Sequence, residues 1–253
     1  MFNKLIASIL PYFPKKFIWI FSHAYISGET MEDAMKASKE LNAQGITVTL
    51  DVLGEFIKTL DEAEENKQEY LTLIDETQKQ GIKGNYSLKP TSFGLLIDQE
   101  ACYGQMREIV AKTASYNNFC RVDMEDSPCT DMEISLYRRL HAEFPKNVGL
   151  VLQAYLKRTY GDLEKMLDIN TPEIPSNYRL CKGIYVESPV IAFIKYKEIN
   201  QHYLEDLEFM FINKIFVGIA THDKPLVEGA YELISKYNVP KNMYEFQMLY
   251  GVT

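Results

Sequence analysis

TMEDAMKASKELNAQGITVTLD, Thr30 to Asp51, reads as one helix, one stop and one strand, and the rest of the chain repeats that unit. Thr30 followed three residues later by Asp33 is a capping-box arrangement. Met31, Ala34, Met35 and Leu41 then fall on one helical face until Gly45 ends the run, which predicts a helix over 31–44. Ile46 to Leu50 is short, β-branched and closed by the polar Asp51, as a strand feeding a loop would be. Working outward, further strands are predicted near 83–88, 118–123, 148–152, 178–182, 215–219 and 243–248, with helical periodicity between them. Steps of roughly 30 to 38 residues match a βα unit, and no Asn-Gly or Asp-Gly hairpin joins consecutive strands, so the strands should be parallel.

An open doubly wound sheet and a closed (β/α)8 barrel of the TIM type both satisfy that pattern. No GxGxxG or GxxxxGK[ST] follows a strand, which removes the usual support for the open sheet and favours the barrel. The organisation expected is an N-terminal helical segment over 1–45 and an α/β barrel domain over 46–253, with seven βα repeats, the last cut short and the eighth unit missing.

Composition bounds the partners. Of 253 residues, 46% are hydrophobic and 25% charged, which excludes disorder. The formal charge of −8 and the lack of a Lys/Arg block argue against nucleic acid. Cys102, Cys120, Cys129 and Cys181 show no CxxC or zinc spacing and read as reduced and packed. The apolar runs Leu5–Leu10 and Phe17–Phe21 are split by Pro11, Pro14, Lys15 and Lys16, so neither reaches a membrane span. A cytoplasmic protein is expected, with a peripheral contact at the inner membrane face through Phe17, Ile18, Trp19 and Phe21 as the alternative to a core-capping role for these aromatics.

In a parallel barrel the carboxyl ends of the strands form the functional face. Those ends carry Asp51, Lys89, Asp123 with Glu125, Gln153 with Tyr155, Lys182, Thr221 with His222, then Gln247 and Tyr250. A charge buried without a partner is costly, so this ring predicts a ligand site. Residue types leave three chemistries open. Lys182 or Lys89 could form a Schiff base, as in a class I aldolase; Asp123, Glu125 and His222 could hold a divalent metal, although their spacing carries little signal; or cations and amides could surround a flavin. Arg179 and Lys182, three apart on one strand, should face opposite ways unless the strand end re-aims one.

Seven strings in register choose among these: Gly28-Glu-Thr30 with Ile46 to Glu55, Ser87-Leu-Lys-Pro-Thr91, Arg121-Val-Asp-Met-Glu-Asp126, Val151-Leu-Gln-Ala-Tyr-Leu-Lys-Arg158, Arg179-Leu-Cys-Lys-Gly183, Ala220-Thr-His222 and Glu245-Phe-Gln-Met-Leu-Tyr-Gly251. Together they resemble the proline dehydrogenase family in its monofunctional bacterial form. The resemblance implies a distorted barrel holding FAD without a dinucleotide fingerprint, and an oxidoreductase of proline catabolism. L-proline would be oxidised to Δ1-pyrroline-5-carboxylate by hydride transfer to flavin N5, with electrons passed on to a quinone or another acceptor. It implies that Lys89 binds the substrate carboxylate, that Asp123 and Arg179 shape and serve catalysis, and that Tyr250 packs on the substrate ring. Met124, Gln153, Arg179, Lys182, Gly183, Ile184, Thr221 and His222 match flavin-contacting positions, and no metal is implied. Members of the family continue past the Leu-Tyr-Gly motif to an eighth strand and a helix bearing two adjacent arginines that clamp the proline carboxylate. The expectation is therefore a C-terminally incomplete copy that binds proline poorly and turns it over slowly, or an inactive barrel fragment. No oligomeric state is read from the sequence.

Overall fold

A computed structural model of the chain describes residues 30–252. The first helical repeat begins as its sequence requires. Thr30 caps α1 (Met31–Ala43), its Oγ1 accepting the Asp33 N–H at 3.2 Å. Asn42 then ties the end of α1 to the next repeat, accepting the Lys83 N–H at 2.7 Å. The remaining elements follow in alternation: β1 (Val48–Leu50), α2 (Leu60–Lys79), β2 (Gly84–Leu88), α3 (Gln99–Ser115), β3 (Cys120–Val122), α4 (Thr130–Glu143), β4 (Val148–Gln153), α5 (Thr159–Lys165), β5 (Asn177–Cys181), α6 (Tyr196–Ile212), β6 (Phe216–Ala220), α7 (Lys224–Tyr237) and β7 (Tyr244–Gln247).

All seven strands lie in one parallel sheet in chain order, each paired with its successor. The sheet is strongly curled, because side chains of strands that are not neighbours meet across its concave face. Arg179 on β5 donates to Ser87 Oγ on β2 at 2.9 Å, and Arg121 on β3 reaches Glu245 on β7 at 3.2 Å. A flat sheet would hold β2 and β5 three strand spacings apart, about 14 Å. The expected TIM-type barrel is therefore present with seven strands, and β1 and β7 are the sheet edges among the described residues.

Alternation along each strand divides the interior into two kinds. Leu88, Val122, Leu150, Leu180, Val217 and Ile219 join one buried apolar layer with Ile74, Met106, Ile109, Leu140, Leu207 and Met210 of the helices. Residues on the other face of the strands include Ser87, Arg121, Asn177, Arg179, Glu245 and Gln247, which hydrogen-bond to one another across the concave side. Among the described residues no helix is long and apolar enough to cross a membrane. The helical expectation for residues before 30 and the aromatic run Phe17–Phe21 lie outside the described residues.

Candidate functional site

The carboxyl ends of β2, β3 and β5 bring three of the expected residues together. Lys89, just past β2, ion-pairs with Asp51 past β1, and its Nζ lies 3.8 Å from Asp123 Oδ2 past β3. Asp123 Oδ1 accepts from Ser87 Oγ at 2.9 Å and lies 3.4 Å from Arg179 Nη1. Arg179 Nε donates to Gln247 Oε1 at 2.5 Å, while Nη2 takes no partner among the described residues. Two cations and two carboxylates thus meet at the carboxyl ends of the strands, and one guanidinium nitrogen takes no partner among the described residues.

Burial makes this cluster electrostatically tight. Desolvation pulls the Lys89 ammonium down, but the charges of Asp51 and Asp123 outweigh it and hold its pKa above the usual lysine range. Asp51 shifts upward, because desolvation exceeds the stabilisation it draws from Lys89. A lysine held protonated in this way is a fixed positive charge and a poor nucleophile, which argues against Schiff-base chemistry at Lys89.

The loop after β3 forms the floor on one side. Gln153, at the end of β4 and buried, donates from Nε2 to the carbonyls of Met124 (3.2 Å) and Glu125 (2.7 Å). Glu125 turns away to accept the Thr91 N–H at 2.8 Å and its Oγ1 at 2.6 Å, pinning the segment that carries Lys89. Glu133 on α4 accepts the Glu125 N–H at 2.9 Å. Burial pushes Glu125 up to about 7 and Glu133 up to about 9.

A second group occupies the opposite rim. Lys182 ion-pairs with Asp223, which also accepts from Tyr196 Oη at 2.8 Å and Asn200 Nδ2 at 3.0 Å. Desolvation opposes the Asp223 charge, and these donors overcome it and lower its pKa. Thr221 Oγ1 accepts the Asp223 N–H at 3.0 Å, and His222 Nε2 accepts the Leu249 N–H at 2.9 Å. Gly183 adopts φ +109°, and a Cβ there would fall 2.2 Å from the Tyr155 ring, so glycine is required where the backbone turns over that aromatic. Beyond it Ile184 is 85% exposed, Val186 fully so and Tyr250 half so.

The structure gathers Lys89, Asp123 and Arg179, and separately gathers Lys182, Thr221 and His222 around Asp223. Arg179 faces the barrel interior and Lys182 the rim, as strand alternation requires. Asp123, Glu125 and His222, the weak metal candidates, each go to different partners. Sequence reasoning missed Ser87, Arg121, Asn177 and Glu245, which support the site from below. Their signal was present: Asn85/Ser87, Asn177/Arg179 and Glu245/Gln247 are polar residues two apart on β2, β5 and β7, and Arg121/Asp123 straddle the end of β3.

Comparison with known proteins speaks to the family and the fold. A family model described as proline dehydrogenase matches residues 34–253. Proline dehydrogenase 1 of Bacillus subtilis is 32% identical over 228 residues, covering 90% of this chain and 74% of that protein. The proline dehydrogenase of Deinococcus radiodurans is 32% identical over 240 residues, covering 93% and 76%. Among solved structures, proline utilization A of Bdellovibrio bacteriovorus inactivated by N-propargylglycine superposes with a TM-score of 0.87 at 22% identity, over 94% of this chain and 29% of that one. That likeness speaks for the fold.

Proposed function

The chain belongs to the proline dehydrogenase family, and we propose that it oxidises L-proline to Δ1-pyrroline-5-carboxylate at the carboxyl face of its barrel with FAD as cofactor. The observation that carries this reading is the cluster of Lys89, Asp51, Asp123 and Arg179 at the carboxyl ends of β1, β2, β3 and β5, two cations held beside two carboxylates.

The donor set suits a flavin. A flat, mostly apolar ring system that gains negative charge needs apolar cover and fixed cations; Ile184 and Val186, exposed in the segment after Lys182, and Leu249, whose N–H donates to His222, would supply the cover, and Arg179 and Lys182 the cations. FAD, when bound, supplies the hydride acceptor. Arg179 and Lys182 would hold positive charge where the accepted charge accumulates, a stabilisation realised only as transfer proceeds. Lys89 would hold the substrate carboxylate as a point charge, kept protonated by Asp51 and Asp123. Gln153 and Met124 would line the face opposite the open mouth. Positioning of the ring and its carboxylate is the main demand, since hydride transfer needs close, aligned contact more than acid–base power. We extend the proposal to a quinone as electron acceptor, with the aromatic run Phe17–Phe21 as the peripheral contact to the membrane that carries it.

Reconstitution of the full chain with FAD tests this. The expected result is a flavin absorbance band that bleaches on anaerobic addition of L-proline and returns with a soluble quinone. Failure to take up FAD, or a bound flavin that L-proline leaves oxidised, would overturn it.

A further inference from the structure

One amide stands at the turning point of the interior network, and its direction is set by chemistry. Gln247 Nε2 lies 2.5 Å from Glu245 Oε1. A carboxylate accepts and does not donate, so the amide nitrogen must face Glu245 and the amide oxygen must face the other way. There it receives Arg179 Nε at 2.5 Å. Glu245 is held in turn by Arg121, a guanidinium 1% exposed whose Nη2 donates to Glu245 at 3.2 Å and to Asn177 Oδ1 at 2.9 Å. Gly218 on β6 leaves the space this amide fills, since a Cβ there would fall 2.7 Å from Gln247 Nε2. On the far side Ser87 Oγ accepts Arg179 Nη1 at 2.9 Å and donates onward to Asp123 at 2.9 Å. Arg179 is thus suspended between acceptors on β7 and β2, neither of which is its neighbour in the sheet.

The geometry points to Gln247 and Ser87 as positioning residues that fix the direction in which Arg179 presents its guanidinium and its charge, with Glu245 and Arg121 fixing Gln247. This rests on the reading of Arg179 as a flavin-facing cation. A charge held in place stabilises a developing anion without reorganisation, whereas a swinging one loses part of that effect. Loosening Arg179 should therefore penalise the reduced, anionic flavin more than the oxidised one.

The test uses the full chain loaded with FAD and reads the two-electron midpoint potential by dye equilibration, alongside FAD affinity and melting temperature. Gln247→Leu removes the acceptor, Gly218→Ala pushes the native Gln247 aside, and Ser87→Ala removes the second support. Each should shift the reduction equilibrium about tenfold, close to 30 mV more negative, while oxidised FAD stays bound. Where Gln247→Leu fails to fold, the other two carry the measurement. A lowered melting temperature with an unchanged potential marks a purely structural role and overturns the proposal. A wild-type chain that takes up no FAD removes the underlying reading and this inference with it, an outcome distinct from wild-type potentials in flavin-loaded variants.

Discussion

Lys89 shows how a residue's partners decide its chemistry. Between Asp51 and Asp123 it is a permanent cation, so Lys89→Met should raise the KM for L-proline about tenfold or more, equivalent to about 1.4 kcal/mol of lost binding, with FAD content unchanged. Steady-state kinetics with a flavin titration checks both halves. Glu133 makes the complementary case for stability. Its carboxyl is fully buried and shifted up to about 9, and Glu125 up to about 7. The folded state therefore binds protons that the unfolded chain releases near the ordinary glutamate value. That contribution is complete below about pH 4.5, the ordinary glutamate value, and is lost progressively as pH rises to about 7 for Glu125 and to about 9 for Glu133. From these two groups melting temperature should fall between about pH 5 and about pH 9, most steeply below about pH 7 where both contribute, and Glu133→Gln, which still accepts the Glu125 N–H, should flatten the decline and melt higher than the parent at the alkaline end.

Elements were the most legible level of this protein. Every strand expected from β-branched runs is present within a few residues, and the helix begun at Thr30 starts where its cap lies, because those features are local. Two things were not local. Side-chain alternation on β2, β3, β5 and β7 places polar residues on the concave face, a feature visible only when the strands are read against one another. The partition of the site residues into an Arg179 group and an Asp223 group likewise depends on which strands the curl brings opposite. Close packing between strands is also invisible in a linear reading. A Cβ at Gly149 on β4 would fall 2.4 Å from the Asn177 carbonyl oxygen on β5, and backbone cannot move aside as a side chain can. Gly149→Ala should therefore cost about 1–3 kcal/mol, seen as a lower midpoint in urea. Thr59 caps α2 by accepting the Glu62 N–H at 3.3 Å, so Thr59→Ala should cost about 1 kcal/mol in the same measurement.

For the molecule as a whole, protection should be graded across the sheet. Every residue of β4 is buried and the strand pairs with β3 on one side and β5 on the other, whereas β1 and β7 are partly exposed edges among the described residues. Amide hydrogen exchange should be slowest in β4, nearly as slow in β3 and β5, and fastest in β1 and β7; uniform rates across all seven would contradict a core centred on β4. The barrel's inner lining has a consequence of another kind. Because Arg121, Glu245, Gln247, Arg179 and Ser87 form one hydrogen-bonded chain, exchanging one removes a partner from the next, and the cost is largest beside Arg121, which is 1% exposed and whose Nε and Nη1 already take no partner among the described residues. Mutational drift through this channel is then constrained to move by matched steps, and relatives that change position 121 or 179 should be found to have changed 245 or 247 as well.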